Sequence, residues 1–309
     1  MQSLNGKIMK PFMWGIGIYS ILLTIFSISS HFSNTKSLGD TYKDIIEKKE
    51  ILSQIRINLL KSVEMEKDAV MALTDEESQG FADQSSVASS AVENNLRRLH
   101  SLIDASPLED EKKLIVEFDG CWMELHKLDQ TILELAVQNT NLKAASLSRE
   151  KGAEAMGRFE HALKEISQST TRTPNEGRVE KSICHAITDG LKIYNLHSPH
   201  IAEGSDEKMD QIEAEMKTEE NEVSKSLDEL AGFTGEECRE SLSQAKTAFF
   251  DFMDVTAMVI KLSRQNSNIK SLDLSLGRKR KVTAQCDEVL AAFQETVQDR
   301  NINAIKAIK

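Results

Sequence analysis

The chain has 309 residues, 40% hydrophobic and only 5% aromatic, with 4 Pro, 14 Gly and a formal net charge of −11. That composition suits long helices and is poor in the residues that punctuate strands and loops. Its acidic balance argues against nucleic acid or anionic lipid surfaces as the main partner.

The first predicted element is a membrane span. Residues 11–32, "PFMWGIGIYSILLTIFSISSHF", contain no Asp, Glu, Lys or Arg, and a run of that length crosses a hydrocarbon core of about 30 Å. Lys7 and Lys10 precede it with no acid among them. The positive-inside rule therefore puts residues 1–10 in the cytoplasm and residues 33–309 outside. A cleaved signal peptide is the competing reading, with Ser27 and Ser29 as a weak site. The apolar run is long for one, so an uncleaved anchor is expected.

Helices are then predicted at 38–73, 76–104, 108–146 and 149–170, and again at 178–203, 206–231, 236–274 and 277–307. Thr74 and Ser205 stand before acidic first turns as matching N-caps. The third helix carries a heptad seam: Leu114, Phe118, Cys121, Leu125, Leu128, Ile132, Leu135, Asn139 and Leu142. "LAVQNTNLKAASLS" from Leu135 returns as "LSRQNSNIKSLDLS" from Leu262, an offset of 127 residues. Upstream, Phe81, Val92, Leu96, Leu99 and Leu102 return as Ile212, Val223, Leu227, Leu230 and Phe233, an offset of 131. The difference falls in a turn, where "IDASPLED" is longer than "TGEE", as a duplication predicts. The expected fold is all-α: a transmembrane helix followed by two tandem antiparallel four-helix bundles, 33–172 and 178–309.

No catalytic or nucleotide-binding motif is present, and no histidine has Glu three residues before it, as a di-iron bundle requires. An enzyme, a cofactor and a metal are not expected. Cys121 and Cys286 read as small buried hydrophobes, with a disulfide left open. "GRKRK" at 277–281 reads as a solvated turn. Polar residues inside the seams are the candidate ligand-binding set: Glu66, Asn139 and Asn266, with Arg56 and Arg264 as carboxylate partners. For the two asparagines, fixing helix register is the favoured alternative.

"VEMEKDAVMALTDEES" at 63–78 resembles the end of the first helix in sensor domains of methyl-accepting chemotaxis transducers. "FDGCWMELHKLDQTILELAVQNTNLKAASLSREKGAEAMGRFEHAL" at 118–163 is similar to their third and fourth helices, joined by an Ala/Ser-rich turn near 144–148. Residues 178–309 join this resemblance only through the repeat, giving a duplicated, bimodular form. The resemblance implies a dimeric extracytoplasmic bundle that senses a small molecule, an organic acid or an amino acid among the options. It would pass helix shifts across the membrane. The helical pattern runs to Lys309, so a second span and a signalling region are expected to follow. The alternative is a single-pass anchored scaffold that binds a protein partner.

Overall fold

The computed structural model describes residues 39–105 and 108–306. The expected span at 11–32 lies outside them. No helix among the described residues is long and apolar enough to cross a membrane. They form an all-α structure without strands. Helix α1 covers 39–71. It is followed by α2 (Asp75–Asp104), α3 (Glu109–Ala136), α4 (Thr140–Leu147), α5 (Ala153–Thr170), α6 (Glu176–Ala202) and α7 (Asp206–Phe233). Then come α8 (Arg239–Gln265), α9 (Ser267–Leu274) and α10 (Arg280–Lys306).

Thr74 caps α2 as its sequence predicts, its Oγ1 accepting the backbone N–H of Glu77 at 3.1 Å. Ser205 holds the matching position before α7 with extended backbone, but its hydroxyl makes no cap bond. The Glu203 carboxylate accepts the N–H groups of Gly204 and Ser205 instead.

The expected turns near 147 and 275 are absent. Single π turns, Ser148–Gly152 and Ser275–Lys279, carry the helix straight on. The breaks fall earlier, at Asn139 (φ 50°) and Asn266 (φ 57°). The physical reason is local. Among non-glycine residues Asn tolerates the left-handed conformation best, whereas Ala and Ser favour helix or neutral positions. Gly152 is itself right-handed helical (φ −63°).

The described residues fall into two compact units that each draw on both halves of the repeat: 39–61 with 87–105, 108–123 and 283–306, and 62–86 with 124–282. In the first, segments of α1, α2, α3 and α10 bury Leu52, Leu59, Val92, Leu99, Phe118 and Phe293 to 1% exposure or less. Cys121 and Cys286 are joined there by a disulfide, Cα atoms 5.5 Å apart, rather than standing as separate thiols. Lys48 and Glu111, both buried, pair at 2.9 Å. In the second unit, α5, α6, α7 and α8 enclose Phe159, Leu163, Ile193, Val223, Leu230 and Phe252.

Within the second unit the two interrupted helices run antiparallel without reversing at their breaks. Arg278 bonds Glu124 at 2.7 Å, Thr140 meets Ser267, Arg158 bonds Asp251 at 2.8 Å, and Ser241 bonds Glu165 at 3.1 Å. A reversal at Asn139 would have ended that ladder.

Candidate functional site

The repeated phrase builds a quasi-two-fold crossing. Helices α4 and α9 each begin directly after a left-handed Asn, so their first N–H groups lack helical acceptors. Each start is capped by the other. The Thr140 N–H donates to Ser267 Oγ at 3.1 Å, and the Ser267 N–H donates to Thr140 Oγ1 at 3.0 Å. The Asn141 N–H donates to Asn268 Oδ1 at 3.1 Å, and the Asn268 N–H to Asn141 Oδ1 at 3.2 Å. Thr140, Asn141 and Ser267 are buried, so these bonds replace ones water cannot supply.

The same residues fasten two interhelix turns. Asn139 Nδ2 donates to Asp75 at the start of α2, at 3.0 Å. Asn141 Nδ2 donates to the Ile201 carbonyl at 2.8 Å, and Asn266 Nδ2 to the Glu203 carbonyl at 2.9 Å, both at the end of α6. Lys143 and Lys270 fold back to the carbonyls of Gln138 and Gln265, each at 2.9 Å, placing a cation where α3 and α8 end. Hydrogen bonds from Lys143 and Asn139 hold the Asp75 carboxyl below its ordinary range.

About two turns further on, each π segment holds a buried polar cluster, and the two clusters occupy corresponding positions. In one, Ser275 Oγ donates to Glu66 Oε2 at 3.3 Å, and Lys279 donates to Glu66 at 2.6 Å and pairs with Asp129. In the other, Ser148 Oγ bonds His197 Nδ1 at 2.8 Å, and His197 Nε2 meets Thr256 Oγ1 at 3.0 Å. Ser148, Gly152 and Thr256 lie 127 residues from Ser275, Lys279 and Asp129, and His197 lies 131 from Glu66. The structure thus extends the repeat to α1 and α6.

The chemistry has diverged. Glu66, Asp129 and Lys279 are all within 2% of complete burial, two carboxylates facing one ammonium. Burial pushes the Asp129 carboxyl up, against the pull of Lys279. The other cluster is uncharged: burial, with His200 nearby, pushes His197 down to about 4. Its ring stacks on Phe252 with centroids 5.7 Å apart.

The model of the four-helix-bundle sensory module for signal transduction matches residues 5–173. The chain belongs to that family. No curated protein matches it.

The candidate set taken from the seams of this sensory module does not converge on one site. Glu66 is in the ionic cluster, and Asn139 and Asn266 form the crossing. Arg264 lies apart: its Nε donates to Glu213 at 2.7 Å, and it also pairs with Asp210. Burial alone would raise the Glu213 carboxyl, but hydrogen bonds from Arg264 and from His200 hold it below its ordinary range. Arg56 belongs to the other compact unit, bidentate to Asp287 at 2.8 and 3.0 Å. Both arginines therefore face protein carboxylates.

Three important residues escape the sequence reading. Asp129 falls in the heptad column of Trp122 and Ala136, one position beside the seam that runs from Leu114 to Leu142. Lys279 sits in "GRKRK", read as solvated, yet it is 1% exposed because the π turn rotates it inward. His197 is visible only once the 131-residue offset is carried back from α7 to α6. All four ring nitrogens of His197 and His200 are bonded, to Ser148, Thr256, Ser263 and Glu213.

Proposed function

We propose that this chain is the extracytoplasmic ligand-sensing region of a membrane-bound, chemoreceptor-like transducer, anchored through residues 11–32 and dimeric. The observation that carries the reading is the reciprocal capping of α4 and α9. It joins two long antiparallel helices to two interhelix turns, with a π turn following on each helix. A π turn holds one residue more than an α turn and can be shed or taken up without unfolding the helix. Ligand-induced displacement therefore has a defined place to act. The Cys121–Cys286 disulfide supports an oxidising compartment.

A second copy of the chain is the partner that α1 is suited to. Tyr42, Ile46, Ile57 and Leu60 follow helical spacing along one face and are 44%, 47%, 55% and 50% exposed. A stripe of that kind on a membrane-proximal helix favours parallel self-pairing.

Two measurements test the reading. Cys184 is a free, exposed thiol, so a membrane-impermeant maleimide should label it in intact spheroplasts; labelling only after permeabilisation would reverse the topology. With Cys184→Ser as background, Ile57→Cys should give disulfide-linked dimers in membranes under mild oxidation. Capture of a different protein in place of the dimer would favour the scaffold reading.

A further inference from the structure

We infer that the groove between the first π turn and α6 is a binding site for a small carboxylate that also carries a hydroxyl or ammonium donor. The inference rests on the sensor reading above and deepens it. The groove encloses about 370 Å³, at the lower end for small-ligand sites. Ser148, Arg149, Tyr194, Asn195, Ser198 and Ile201 line it. Its floor leads to the neutral cluster, because the Ser148 hydroxyl that borders it is bonded to buried His197.

Charge pairing singles this groove out. Larger grooves flank α8, but their cations are already matched by protein carboxylates: Arg158 with Glu154 and Asp251, Lys246 with Asp228, Arg239 with Glu236. Arg149 is exposed and makes no ion pair with any described residue. A guanidinium without a carboxylate beside a partly apolar wall is suited to an organic anion.

Proline supplies the second half of the recognition. Pro199 lies inside α6 and has no N–H. The Asn195 carbonyl, four residues earlier and on the groove, is therefore left without its helical donor. Asn195 and Arg149 both line the groove, so the site offers an acceptor as well as a donor, and a bare carboxylate cannot satisfy that acceptor whereas a hydroxy or amino acid can.

The duplicate half acts as an internal control. The corresponding positions are Leu276 for Arg149, Glu64 for Asn195 and Lys67 for Ser198, with no proline at 68. The serine and the π turn are kept there, but an arginine on the π turn and the freed carbonyl are not. Those two features therefore belong to this groove and not to the repeat.

The test uses the full chain in lipid nanodiscs, with calorimetric titration and thermal-shift measurement. Lactate, L-malate and L-alanine are compared with propionate, which lacks the donor, and propionamide, which lacks the charge. At least one donor-bearing acid should bind and raise the melting temperature, with propionate at least fivefold weaker and propionamide silent. Arg149→Leu, which copies the duplicate, should weaken binding at least tenfold. Pro199→Ala, which returns an N–H to the Asn195 carbonyl, should remove the preference over propionate. Silence toward all the acids overturns the inference, as does equal binding by Arg149→Leu. Binding that survives Arg149→Leu moves the ligand elsewhere while leaving the sensor reading in place; the topology and dimer measurements judge that reading separately.

Discussion

Thr140 and Ser267 each cap the helix that the other one starts. Each hydroxyl accepts the other residue's backbone N–H, at 3.0 and 3.1 Å, and the two oxygens are 3.2 Å apart. A helix N-cap is normally supplied by the residue just before the helix. Here that residue is a left-handed Asn whose side chain reaches other partners, and the caps come from the opposite helix.

This makes the crossing a two-body device, and its energetics should be coupled. Thr140→Val or Ser267→Ala removes one cap and orphans one buried N–H, at about 1–2 kcal/mol each. The two orphaned N–H groups are different and their costs add, but either single variant also removes the one bond between the two hydroxyls, at 3.2 Å, so the double variant should lose less than the two single losses added together by about 0.5–1.5 kcal/mol. Urea unfolding of the four members of the cycle measures this, with strict additivity as the contrary result.

The buried triad is the site where a single change should be most costly. Lys279→Met leaves Glu66 and Asp129 buried together without their ammonium. Breaking a buried pair this way typically loses about 3–5 kcal/mol. Adding Glu66→Gln and Asp129→Asn to it removes the stranded charges and should recover most of that loss. If the triple variant is no more stable than Lys279→Met, the cost lies in packing around the π turn and not in the charges.

How much of this could be read from the sequence depends on period. The helices and their buried faces repeat every seven residues, so Phe118, Leu125, Leu128 and Ile132 were legible as core and are buried. The repeated phrase was legible too, because both of its occurrences carry the residues that make the crossing. The breaks were not. An Asn at a seam position reads as a buried polar group in a continuous helix, and nothing in its spacing announces φ near +50°. A π turn also shifts the phase of every later side chain, which hid Lys279 in a run of exposed cations. The pairing of Cys121 with Cys286 spans 165 residues and depends on which helices are neighbours. Periodicity within one helix does not contain that information.

That disulfide links α3 to α10 and should be a major support of its compact unit. Cross-links closing long loops typically contribute about 2–4 kcal/mol. Reduction, or Cys121→Ala with Cys286→Ala, should lower the melting temperature and the urea midpoint accordingly. Cys184→Ser should change neither, since that thiol is exposed and unpaired. An unchanged midpoint after verified reduction would show that the bundle holds its register without the link.

Acid should destabilise the second unit through His197, and the sign follows from burial. The ring is pushed down to about 4 in the folded chain, against about 6.5 when unfolded. Between those values the unfolded chain binds the extra proton, so stability rises with pH across this window. The contribution is fully present above pH 6.5 and is lost as the pH falls toward 4, amounting to about 3 kcal/mol for one site. Asp129, whose carboxyl is pushed up, acts in the opposite direction: it favours folding at low pH and loses that contribution as the pH rises through its folded value. The two can be separated by substitution. His197→Gln keeps hydrogen-bonding capacity toward Ser148 and Thr256 but cannot take up the proton, so its urea midpoint should depend less steeply on pH between 4 and 6.5 than that of the parent. Asp129→Asn should leave the slope in that window positive. A parent-like slope in His197→Gln would assign the acid sensitivity to another group, and the titration of His197 followed by NMR would then have to lie near its ordinary value.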